Sequence, residues 1–219
     1  MKNIILLIAL LTISPAIAQK SYKAKILLTS GETKEGYASL PSNGLLDGGA
    51  ITLKPEKKGK GTKITKDEIS SAIYTSDEGK EYFFESTQVQ HLMGKQEMRL
   101  AKKKYWIVAT YSNPHITLYN FGESYSIDKD GTMIIKSATS NTWAEIFVCL
   151  KRQNEEIPTS VTSYTYGATV LGHEGRFRKA CIKYFGSDNK FSERIENKEW
   201  EHTQVKELAE EYAKYKDAQ

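Results

Sequence analysis

Four histidines, two cysteines and several acidic turns are the residues in this chain able to attack, ligate or carry protons. Asp128-Lys129-Asp130-Gly131 opens like a calcium loop. Such a loop needs Gly at its sixth position and Glu at its twelfth, and Met133 and Thr139 stand there. The Asp-Gly pair between apolar runs instead predicts a hairpin turn. His173-Glu174 opens like a zinc-binding HExxH helix, but Phe177 occupies the second histidine position. His91, His115, His173 and His202 are too scattered to form a local ligand set. Neither Cys149 nor Cys181 sits in a hydrolase signature, and no GxSxG elbow is present. A nucleophilic site would have to assemble in three dimensions, for example from His115, Asp128 and Cys149. No GxxxxGK[ST] or GxGxxG loop cradles a nucleotide. No catalytic, metal-binding or cofactor-binding residue is therefore assigned, and no cofactor is expected.

Binding chemistry is better represented. The stretch 54–66 is rich in lysine, with Lys57, Lys58, Lys60 and Lys63 beside Gly59 and Gly61. Such a loop can meet anionic polymers or lipid headgroups, although a charge run is ordinarily a solvated loop. The net charge of +4 is nearly balanced, and aromatic residues do not interleave with the lysines as a nucleic-acid platform requires. Nucleic acid is not expected as a partner. The segment 159–172 (TSVTSYTYGATVLG) is polar and aromatic. It predicts a loop joining strands to helices, with Tyr164 and Tyr166 able to stack on sugars. Packing inside a β layer is the ordinary alternative for tyrosine.

The elements that must carry these residues begin with an address. Lys2, the apolar run Ile4–Ile13 and the small-x-small triplet Ala16-Ile17-Ala18 form a secretory signal pattern, cut after Ala18. No later stretch is apolar enough for a transmembrane helix. The expectation is an exported chain, periplasmic or extracellular. In an oxidising compartment Cys149 and Cys181 are candidates for a disulfide; two small buried apolar side chains are the alternative. From Tyr22 onward the period is two, with hairpins over 22–38 and across 76–79 and 128–131. Strands are expected at 105–111, 115–121, 145–152 and 156–161, after a polar connector at 93–104 that offers a sub-domain boundary. Past His173 the period turns helical, with caps at Ser187 or Asp188 and at Thr203. The fold class is α+β: a mainly antiparallel β-rich domain over 19–170, and a helical segment of about three short helices over 171–219 packed upon it.

The run Gly31-Glu32-Thr33 with Gly36, and Lys63-Ile64-Thr65 with Glu68-Ile69, resembles a family of uncharacterised secreted proteins from Bacteroidota-type bacteria. The C-terminal run RFRKACIKYFGSDNKFSERIENKEW resembles that family's helical tail, although Gly186-Ser187-Asp188 stands where members often have Cys. The resemblance implies compartment and architecture and carries no activity. The function expected is thus a non-enzymatic envelope protein, a binding or structural module for an envelope protein or polysaccharide. A polymer hydrolase and a small-ligand carrier are the alternatives.

Overall fold

A computed structural model describes residues 20–44, 48–93, 97–137, 144–166 and 172–219. The expected export segment 1–18 lies outside them. The chain is α+β, as its period change implies. Among the described residues, fourteen strands are followed by three helices. The strands are β1 (Tyr22–Leu28), β2 (Thr33–Ala38), β3 (Ile51–Leu53), β4 (Thr62–Ile64), β5 (Ile69–Thr75), β6 (Glu81–Thr87), β7 (Gln90–Met93), β8 (Glu97–Leu100), β9 (Tyr105–Ser112), β10 (Ile116–Phe121), β11 (Ser124–Ile127), β12 (Met133–Lys136), β13 (Ala144–Arg152) and β14 (Thr159–Tyr166). The helices are α1 (His173–Tyr184), α2 (Asn189–Glu196) and α3 (Val205–Asp217).

Ten strands form one sheet in the order β2-β1-β5-β6-β9-β10-β13-β14-β7-β8. Every pairing is antiparallel except β14 with β7. The hairpins β3–β4 and β11–β12 are separate two-stranded sheets. Turn chemistry matches local sequence. Asp128 Oδ1 accepts the backbone N–H groups of Asp130 and Thr132, and Gly131 takes φ +69° between β11 and β12. The Thr65–Glu68 capping box forms, opening a short 3₁₀ turn. The stretch 93–104, expected as a connector, instead holds β8, which pairs with β7 at the end of the sheet. The third helix begins after Gln204 rather than at the expected Thr203 cap, a shift of the size that helix ends commonly show.

The sheet cannot be flat. Five inter-strand steps separate β6 from β7, about 24 Å in a flat sheet. Yet only Gln88 and Val89 link Thr87 to Gln90, and that link reaches no more than about 11 Å. The six strands from β6 to β7 therefore curl until the last returns to the first. The link is tied into place. Gln90 N–H donates to Pro158 O at 2.9 Å, Ala101 N–H to Val89 O at 2.9 Å, and Gln88 Nε2 to Ala101 O at 2.8 Å.

The curl gives the sheet an inside and an outside. Along β13, Val148 and Leu150 face out to the helices, in a core with Ile116, Leu118, Phe177, Cys181, Phe185, Phe191, Leu208 and Tyr212. Glu145, Phe147, Cys149 and Lys151 alternate with them and face in. Tyr119 and Phe121 of β10 and Ile107 of β9 share that inner core. The helices carry apolar stripes because α1, α2 and α3 each cover part of this outer face. Among the described residues no helix is long and apolar enough to cross a membrane.

The two cysteines fall on opposite sides of this partition. Cys149 is buried in the inner core and Cys181 in the helix-side core, and both are free thiols. The disulfide raised by the sequence is not formed, because a layer of backbone separates the two side chains. Burial pushes both thiols up; a bond with Ser160 opposes this in part at Cys149. Since the thiolate is the reactive form, the native chain should resist alkylation by iodoacetamide and take up two equivalents once unfolded in urea without reductant. Absence of reactive thiol in urea would show a bridge.

Candidate functional site

The parallel ladder between β14 and β7 is two residues long, Thr159↔Gln90 and Ser160↔His91. Among the described residues, β14 continues to Tyr166 with only β13 paired beside it, while β7 runs on with β8. A cavity of about 330 Å³ opens along the seam where the ladder stops. Its lining is His91 and Leu92 from β7, Tyr105 from β9, Glu145 and Phe147 from β13, Ser160 to Ser163 from β14, and Arg176 and Ala180 from α1. The volume lies within the range of small-molecule sites.

Each wall has a local cause. Glu145 and Phe147 are neighbours on the inward row of β13. Phe147 stacks on Phe121 at 4.8 Å between ring centres, and Phe121 meets Tyr105 at 4.9 Å. The His91 ring stands edge-on to Phe147 at 5.6 Å. Burial holds its imidazole below the ordinary histidine range, against a smaller pull from Glu145. His91 is thus neutral at neutral pH, presenting one donor and one acceptor nitrogen. No hydrogen-bond partner meets that ring among the described residues.

Ser160 and Ser163 of β14 give the cavity part of its polarity. Thr159, Ser160, Thr162 and Ser163 are all buried. Ser163 donates to Glu145 Oε1 at 2.5 Å. Thr162, only 4% exposed, has a hydroxyl with no partner. A buried hydroxyl left unpaired costs about 1–3 kcal/mol. The irregularity between Val148 and Cys149 in the β13–β14 register sets Val161 between the pairs Val148↔Thr162 and Cys149↔Ser160. Bulges of this kind re-aim side chains beside functional sites.

The first turn of α1 borders the cavity and is pinned by a second cluster. His202 donates to Glu174 through its backbone N–H at 3.0 Å and pairs with it through its ring. The His202 ring also stacks on His173 at 5.5 Å. Partial burial works to raise the Glu174 carboxyl, but His202 and Arg178 outweigh it and hold it below the ordinary range. A third cluster ties the β13–β14 turn to the helices. Arg152 bonds Glu155 through two nitrogens at 2.6 and 2.8 Å, Tyr184 donates to Glu155 at 2.6 Å, and Tyr212 donates to Asp188 at 3.0 Å. Its groups satisfy one another, which marks it as a clamp.

The residues singled out from sequence do not converge here. Lys57, Lys58, Lys60 and Lys63 are exposed on the β3–β4 hairpin, beside β2 at the other end of the strand order, with Lys57 near Asp77 at 3.7 Å. The expected loop at 159–172 is corrected by the structure: Thr159–Tyr166 is strand β14, held by β13 along its length. Residues 167–171 lie outside the described residues. Tyr164 faces the helix layer, 6.3 Å from the His202 ring, and backs the outer core. Tyr166 ends β14, and its side chain lies outside what is described. His115 pairs with Asp217 at 2.7 Å, Asp128 holds its hairpin, and Cys149 is interior, so these three form no constellation. Glu145 and Arg176 escape the sequence reading, His91 enters it only as a candidate metal ligand, and Ser160 and Ser163 fall within its expected loop.

No protein-family model, curated protein or solved structure matches the chain.

Proposed function

We propose that this is an exported protein, of the secreted Bacteroidota type that its motifs resemble, and that it works by binding. The seam cavity takes a small hydroxylated ligand, a sugar unit of an envelope or extracellular polysaccharide. The supporting observation is a cavity of about 330 Å³ whose lining gathers Ser160, Ser163, Glu145 and His91. Phe147 and Tyr105 add the aromatic faces that sugar rings stack against. Hydrolysis is less well supported. A serine nucleophile needs a base oriented to take its proton, and here Ser163 is bonded to a carboxylate while the His91 ring bonds neither.

Glu145→Gln tests the assignment, because it keeps the shape and weakens the acceptor that a ligand hydroxyl would meet. Sugar affinity should fall about tenfold by isothermal titration, the equivalent of one lost hydrogen bond. Thr162→Val, which removes an unpaired buried hydroxyl away from the ligand, should leave the protein as stable as the parent or about 1 kcal/mol more stable. Equal sugar binding by parent and Glu145→Gln would overturn the site. Absence of binding across neutral and acidic sugars would overturn the function.

A further inference from the structure

We infer that the ligand of the seam cavity is an acidic sugar, whose anionic group is received by Arg176. This rests on the binding function proposed above and narrows its ligand. Arg99, Arg152, Arg178 and Arg194 each lie within ion-pair distance of a carboxylate: Glu97 at 3.1 Å, Glu155 at 2.6 Å, Glu174 at 3.3 Å and Glu199 at 2.8 Å. Arg176 has no such partner among the described residues, and it lines the cavity. Its neighbour on the helix, Arg178, is held by Glu174, which is itself locked to His202. The nearest helical acid is therefore already committed. A guanidinium presents its donors as a planar fork that fits a carboxylate or phosphate with two parallel bonds.

The rest of the lining sets the ligand's other end. Glu145 is the carboxylate of the cavity, on β13 rather than α1, and it already accepts the Ser163 proton. It can accept from a ligand hydroxyl as well, since an ionised carboxylate offers about four lone-pair sites. Neutral His91 can donate or accept. One cation, one occupied carboxylate and two serine hydroxyls suit a molecule with one negative group and several hydroxyls. A zwitterionic amino acid fits less well, because its ammonium would compete with Ser163 for Glu145 and leave the hydroxyls unused.

The experiment is isothermal titration of the whole exported chain with glucose, glucuronate and glucose 6-phosphate. Parent, Arg176→Gln and Arg176→Lys are compared at low and high salt. Glucuronate should bind at least tenfold more tightly than glucose to the parent, with the advantage shrinking in high salt. Arg176→Gln should reduce glucuronate binding to the level of glucose. Arg176→Lys should keep part of the preference, because it retains charge and loses the fork. Preference for glucose 6-phosphate over glucuronate, lost in the same variant, would keep the anion site and assign it to phosphate. Equal binding of glucose and glucuronate, unchanged by Arg176→Gln, would overturn the anion site and leave the sugar site standing. No binding of any of the three would overturn both.

Discussion

Replacing Trp106 by alanine is expected to destabilise the protein by about 4 kcal/mol, in line with large-to-small changes at buried aromatic positions. Trp106 is fully buried on β9. Its indole N–H donates to Gly49 O at 2.6 Å. The same residue is gripped through its backbone: Asn43 Oδ1 accepts its N–H at 2.8 Å, while Asn43 Nδ2 at 2.9 Å and Tyr125 Oη at 2.5 Å donate to its carbonyl. Asn43 Nδ2 also reaches Gly122 O at 2.8 Å. The Asn43 side chain thus ties its own segment and Gly122 to β9, and the indole ties Gly49 there as well. Trp106→Phe should cost less, about 1–2 kcal/mol, because most of the volume stays and one hydrogen bond is lost. Urea unfolding followed by circular dichroism measures both. A loss below about 1 kcal/mol for alanine would mean that this core is loosely packed.

Local order was largely legible in the residues. A period-two run marked β1, aromatic and β-branched residues marked β9, a preceding proline marked β10, Asp-Gly marked the β11–β12 turn, and the change of period at His173 marked the helices. These features depend on neighbours in sequence. What could not be read depends on strands that are distant in sequence. The segment 159–172 looked like a loop because Thr159, Ser160, Thr162 and Ser163 spoil the apolar face a strand normally shows. Ser163 is tolerated inside because the Glu145 carboxylate accepts its proton, Ser160 lines the cavity, and Thr159 reaches Gln90. The connector at 93–104 hid β8 for a similar reason: an edge strand carries charged residues such as Glu97 and Arg99 facing solvent. The site is formed by β7, β9, β13, β14 and α1, so no spacing in the sequence could announce it.

The curl itself makes the second large prediction. Glu85 lies on β6 and Lys151 on β13, with β9 and β10 between them. Three strand steps would hold them about 14 Å apart at the backbone in a flat sheet. Instead Lys151 Nζ bonds both Glu85 oxygens, at 2.5 and 2.7 Å, and lies 5.4 Å from the centre of the Tyr119 ring. Burial pushes the Tyr119 hydroxyl up, and the Glu85 carboxylate adds to the effect. Both charged side chains are only 18% exposed, so neither can recover full hydration if its partner is lost. Glu85→Ala or Lys151→Ala should each cost about 3 kcal/mol, because a lone charge is left in the interior. The double change Glu85→Leu with Lys151→Met should recover most of that loss, since removing both charges also removes both desolvation penalties. A double-mutant cycle in urea measures the coupling. Independent losses under about 1 kcal/mol would describe a solvated surface pair, and a solvated pair at that position would mean that the sheet is open. The opposite end of the same inward row of β13 carries Glu145, so the curl that buries one charge at Lys151 also encloses the seam cavity. An open sheet would therefore remove the walls on which the binding site depends.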